Sequence, residues 1–170
     1  DKQFGFLKET LVAPVPRTVI MLGRTLGGAT VATLQGIFVF ILTLFVGFRP
    51  EISPLLVLAP FYMLLFAILF TALGTAIASR LNDMQAFPLV MNFLIMPMFF
   101  LSGALFPIDQ LPAALKFVVQ VNPVSYGVDG MRILLIHLGH FPLWLDVVVL
   151  TVVASLCIAV GAVLFKRIEA

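Results

Sequence analysis

Charge is what this sequence has least of. Of its 170 residues only 11% are charged while 62% are apolar, and the mean hydropathy is +1.17. Soluble domains run near roughly 25% charged and 45–50% apolar. A soluble globule must clothe its core in polar side chains, and this chain has too few, so lipid must cover much of it. A single cysteine, Cys157, lies inside an apolar run, which excludes an internal disulfide framework or cysteine metal cluster. The net charge of +2 comes from basic residues scattered singly; they form no patch for nucleic acid. No G-x-x-x-x-G-K-[ST] loop is present, so the chain has no ATP site of the usual kind. His137 and His140 lack the Glu or Cys companions of a metal site and read as loop or interfacial histidines. The hydroxyls have no paired base, so nucleophilic catalysis is unsupported. A basic start followed by a short apolar region and a cleavage site is also missing. The opening at Asp1 therefore reads as a cut inside a larger protein or as a processed end.

What is present is length without charge. Uncharged runs extend from Thr25 to Phe48, Ile52 to Ser79, Met84 to Ile108 and Val147 to Phe165. A helix needs about 20 apolar residues to cross a bilayer. These runs predict an all-α, polytopic bundle with spans near 20–47, 55–79, 86–106 and 145–165. With the N-terminal stretch inside, Lys2, Lys8, Arg17, Arg24, Arg80, Lys166 and Arg167 lie on the inner side, against Arg49, Lys116 and Arg132 outside. Basic residues concentrate on the cytoplasmic side, so both chain ends are expected in the cytoplasm and the protein in the cytoplasmic (inner) membrane.

The stretch from 107 to 144 is too long for a turn and too interrupted to span. Pro107, Pro112, Pro123 and Pro142 break it, with Gly127, Gly130 and Gly139 between. Two short helices fit, one over 111–121 with Leu115, Val118 and Val119 on one face, the other over 124–138. Apolar helices that do not cross suggest re-entrant or interfacial segments, and Trp144 would mark the outer interface. Asp129 and Arg132, three apart, share a helix face and could pair.

Residues 1–17 read as an amphipathic helix ended by Pro14 and Pro16, with Phe4, Leu7, Leu11 and Val12 on one side. Periodicity alone favours a membrane-surface helix over a docking one. The middles of the four spans hold no Asp or Glu, which weakens a proton-coupled secondary transporter. Gln35 and Asn92 lie within spans and either bond between helices or line a path. Gly23/Gly27, Ala32/Gly36 and Gly74/Ala78 are spaced for close helix approach, and Pro88 and Pro97 suggest kinks in the third span.

The run MPMFFLSGALFPIDQLP (96–112) followed by NPVSYGVDGMR (122–132) resembles the end of the type-two exporter permeases of the ATP-binding cassette (ABC) superfamily. Ser102, Gly103, Phe106, Pro107, Leu111, Pro112, Asn122, Pro123, Tyr126, Asp129 and Arg132 match in order and spacing. The opening FGFLKETLVAPVPR looks like that family's cytoplasmic loop. The resemblance implies a six-span permease of which this chain holds the last four spans, with short re-entrant helices on the outer side over 107–144. It further implies that 1–17 is a coupling segment, in which Phe4, Phe6, Leu7, Glu9 and Leu11 meet a separate nucleotide-binding ATPase subunit that carries the ATP and magnesium. A second permease copy completes the transporter.

The expected function is thus a non-enzymatic permease subunit of an ATP-driven exporter of an amphiphilic drug, lipid, polyketide or glycan-like substrate. Gln35, Asn92 and Phe99 are candidates for the substrate path. Asn122, Pro123, Tyr126, Asp129 and Arg132 are expected to be structural in the outer helices. No catalytic, cofactor-binding or metal-binding residue is expected in the chain. The alternatives are a secondary transporter, which predicts intramembrane carboxylates or a pseudo-repeat, and an integral membrane enzyme of lipid metabolism, which predicts further aspartates at fixed spacing near Asp129.

Overall fold

The computed structural model describes residues 17–81, 83, 85–106, 108 and 112–166, and among these every regular element is helical. The coupling candidates Phe4, Phe6, Leu7, Glu9 and Leu11 lie outside the described residues. Helix α1 (Arg17–Phe45) follows Pro16 and ends where Gly47 adopts φ +105. There the Phe48 N–H donates to the Thr43 carbonyl and the Gly47 N–H to Leu44, the paired bonds of a Schellman cap. A 3-10 turn (Pro54–Leu58), capped by the Ser53 hydroxyl accepting from Leu55 N, leads into α2 (Ala59–Arg80). Helix α3 (Ala86–Phe100) is followed by the short pair α4 (Ala113–Val121) and α5 (Pro123–Ile136), and α6 (Leu143–Lys166) closes the chain.

Three segments are long and apolar enough to cross a membrane: Val19–Phe45, Pro54–Arg80 and Leu143–Leu164. The fourth expected span, 86–106, differs. Its helix has 15 residues, about 22 Å at 1.5 Å per residue, short of the roughly 30 Å of hydrocarbon. Pro97 cannot donate to the carbonyl one turn back. Just beyond, the Ser102 hydroxyl donates to Phe99 O and Gly103 takes φ +79, which turns the chain out of the helix. Pro88 occupies the third helical position, where an N–H has no intrahelical acceptor, so it needs no kink.

Helix α2 is the centre of the bundle. It packs most extensively on α6 and then on α1, while α5 wedges between α2 and the start of α6. The core is Ala59, Tyr62, Leu69, Tyr126, Leu134, Leu150 and Ala154. Glycines allow the closest approaches. A Cβ at Gly161 on α6 would collide with Met21 on α1, and one at Gly28 with the Thr71 methyl on α2. Gly23 and Gly27 face open space instead, whereas Gly36 lies against Met63 of α2 and Gly74 against Met91 of α3, so the small-residue spacing finds some contacts and misses others. The Met21–Gly161–Ala76 contact sets the start of α1, the end of α6 and the end of α2 side by side at one end of the bundle. The α4–α5 pair sits at the other.

The outer surface is as apolar as the core. Leu34, Phe38, Leu89 and Phe93 are all exposed. Water would penalise this surface by about 25 cal/mol per Å²; a bilayer does not. The molecule is a polytopic helical bundle built for lipid.

Candidate functional site

Among the described residues, the short helices α4 and α5 carry most of the side-chain bonds between elements. Asn122 joins them. Its Oδ1 accepts from Val124 N at 3.0 Å, capping α5, and its Nδ2 donates to Met98 O at 2.6 Å, tying the cap to α3. Pro123 takes the first helical position, where its missing N–H costs nothing. The Tyr126 hydroxyl donates back to Gln120 O at 2.6 Å, closing the α4–α5 corner, and the ring stacks on Phe141 with centroids 5.0 Å apart. Burial pushes its phenol above the ordinary tyrosine range, which keeps it a donor. The Tyr126 carbonyl in turn accepts from the Tyr62 hydroxyl of α2 at 2.6 Å.

Asp129 and Arg132 share a face of α5 but do not pair. The Asp129 carboxylate, 2% exposed, accepts from His140 N at 2.8 and 2.9 Å and from Phe141 N at 2.8 Å. Arg132 donates from Nη2 to Gly103 O at 3.1 Å. Backbone groups left over at the two irregular connections outcompete the salt bridge, because those groups need partners when buried. Each residue of this set therefore fastens α5 to a different element. Gly139 lets the loop pass close to Asp129, where a Cβ would collide with Ile133.

Four features here escape a reading of sequence. His137 ends α5 in the left-handed region at φ +55, and its Nδ1 stands 2.6 Å from the Glu51 carboxylate, while Glu51 N donates to Leu135 O. Glu51 thus clasps the α1–α2 connection to the end of α5. Tyr62 looks like one more aromatic in an apolar run, yet it is 4% exposed and holds α5 through its hydroxyl. Gly127 and Gly130 are seats: a Cβ on them would strike the rings of Phe66 and Tyr62. The fourth is Asp146, in the first turn of α6, completely buried with both oxygens unbonded. It stands just ahead of the uncharged run from Val147, so a scan for spans takes it as a boundary marker.

Among the described residues of α4 the buried one is Val119, while Val118 is 40% exposed, so the apolar face expected from sequence is narrower than drawn. The path candidates Gln35 on α1, and Asn92 and Phe99 on α3, are all on the exposed faces of their helices, and none is enclosed within this chain. Among the described residues no group of three His, Cys, Asp or Glu side chains could hold a metal ion.

Asn122→Ala should cost about 1–2 kcal/mol, from the lost cap and the orphaned Met98 carbonyl. A lower thermal-aggregation midpoint in detergent checks it, with Asn122→Asp, which keeps only the cap, falling between.

Comparison with known proteins accords with this arrangement. A family model described as ABC-2 type transporter matches residues 1–136. The chain is 33% identical over 138 residues to the putative transport permease ycf38 of Pyropia yezoensis, covering 79% of this chain and 46% of that protein. It is 30% identical over 125 residues to nodulation protein J of Rhizobium meliloti (strain 1021), covering 71% and 47%. It is 30% identical over 137 residues to the inner membrane transport permease YadH of Escherichia coli (strain K12), covering 81% and 53%. The chain thus spans about half the length of these relatives. No solved structure matches it. With four-fifths of its length under the family model and relatives at 30–33% identity, the chain belongs to the ABC-2 type transporter family.

Proposed function

We propose that this chain is the membrane-embedded, non-catalytic part of an ATP-driven exporter, working with a separate nucleotide-binding ATPase and a second permease copy. The observation that carries the reading is the polarity of the bundle. The start of α1, the end of α2 and the end of α6 share one end, the end to which Arg17, Arg24, Arg80 and Lys166 belong by position. The bonded α4–α5 pair occupies the other. That distribution supports a cytoplasmic end where 1–17 meets an ATPase, and an outer end closed by helices that do not cross. The name of the Escherichia coli relative supports an inner-membrane location. Exposed aromatics on α1 and α3, among them Phe38, Phe93, Phe99 and Phe100, suit walls that pass an amphiphilic substrate.

Replacing Phe4, Leu7 and Leu11 together by Asp should lower copurification of the ATPase by about tenfold or more, the effect of losing about 1.4 kcal/mol of binding. Membrane insertion should be unchanged. Undiminished association would refute the coupling role, and labels placing 1–17 and Lys166 on opposite membrane faces would refute the topology.

A further inference from the structure

We propose that Asp146 is a proton-binding site, occupied while α5 is seated on α2 and α6 and emptied when α5 withdraws. The observation is a carboxyl group in the first turn of a membrane helix, 0% exposed, with neither oxygen accepting a hydrogen bond. Its electrostatic neighbours are Tyr62 on α2 and Tyr126 and Asp129 on α5. Neither phenol serves it: the Tyr62 hydroxyl donates to Tyr126 O and the Tyr126 hydroxyl to Gln120 O. In the α5–α6 connection, the amides of His140 and Phe141 are spent on Asp129, and at the end of α5 His137 is spent on Glu51. Helix α1 meets α6 near Met21 and Gly161, so its Arg24 belongs to the opposite end.

Magnitudes then choose the species. A bare buried carboxylate costs several kcal/mol even after relaxation, and here it would stand near a second carboxylate, which adds repulsion. A neutral carboxyl left unbonded costs about 1–3 kcal/mol. Of the two acids, Asp129 accepts three bonds from two backbone N–H groups, and Asp146 accepts none. The proton therefore belongs on Asp146. A metal ion is a poor substitute, since no third ligating side chain joins the pair and both oxygens are closed to solvent. The burial is complete within this chain, so another segment or subunit reaches Asp146 only if the helices packed over it move, and of these α5 is the shorter. Movement of α5 takes away Tyr126 and Asp129 and admits water, in which an aspartic acid gives up its proton. The sign follows from linkage: the seated state binds one more proton than the open state, so acid favours seating and rising pH favours opening.

Infrared spectroscopy of the protein in lipid vesicles at neutral pH tests the site without relying on transport. A protonated-carboxyl C=O band is expected, lost in Asp146→Asn and kept in Asp129→Asn. No such band, or one untouched by Asp146→Asn, overturns the proposal. So does a band abolished by sodium or potassium at fixed pH, which would make the site a metal one. Should Asp146→Asn fail to accumulate, Asp146→Glu must shift the band, and an unmoved band again overturns it. Hydrogen exchange tests the link to opening. Protection of the 137–146 amides, corrected for intrinsic rates, should fall by up to about tenfold per pH unit, the dependence of a one-proton release. In Asp146→Asn it should be flat; a wild-type profile equally flat leaves no linkage and refutes it.

Discussion

Asp129→Ala should be among the most damaging single substitutions in this chain, lowering stability by about 3–5 kcal/mol. The carboxylate accepts three bonds from two adjacent amides, those of His140 and Phe141, in the turn that reverses the chain from α5 into α6. Alanine leaves both donors without a partner at a site that is 2% exposed. Each orphaned buried donor costs about 1–3 kcal/mol, and charge-assisted bonds lie at the upper end. Asp129→Asn retains one acceptor oxygen and should lose roughly half as much. The readout is the midpoint of heat-induced aggregation in detergent, with labelling of a cysteine at position 141 reporting whether the turn has come loose. An alanine variant as stable as the parent would show that the Asp129 bonds do not hold the corner. Asp129→Glu is also informative, because one more methylene displaces the carboxylate from two amides fixed by the turn.

Gly130→Val should rank beside it, for a steric reason. A Cβ at position 130 would overlap the hydroxyl, Cζ and Cε2 of Tyr62. That ring cannot step aside: it is 4% exposed in the core and its hydroxyl is bonded to Tyr126 O. Overpacking costs about 1–3 kcal/mol, and displacing the hydroxyl adds roughly 1 kcal/mol for the lost bond. The expected outcome is a protein that inserts but aggregates at lower temperature. A double variant supplies the check. In a Tyr62→Leu background the same valine should cost less than it does alone, since the obstacle is gone. Strict additivity of the two changes would mean that the ring is not what confines Gly130.

These substitutions, together with Asn122→Ala, separate two kinds of residue in the 122–132 segment. Asn122, Tyr126, Asp129 and Arg132 act by bonding backbone groups of other elements, whereas Gly127 and Gly130 act by having no side chain. The sum is a rigid plug fastened to α2, α3 and α6. Such a plug gives the proton on Asp146 a mechanical meaning, because the plug itself covers that carboxyl.

The spacing of charges by itself determined that this chain is an all-helical membrane bundle, and it located most of each helix. An uncharged run of some twenty residues has few other physical solutions, since buried backbone must satisfy its own hydrogen bonds. Prolines likewise marked the breaks between α4, α5 and α6, because they act through local geometry. Only the tertiary structure decided the rest. Helix α3 ends at Phe100 because Gly103 turns left-handed there, a choice stabilised by the Arg132 bond to its carbonyl. Asp129 and Arg132 separate because unbonded amides and carbonyls of distant segments arrive beside them. Asp146 reads as a boundary charge in one dimension and becomes a sealed carboxyl in three, when α2 and α5 close over one face of α6. Burial of a single face depends on what packs against it, and that partner is remote in sequence.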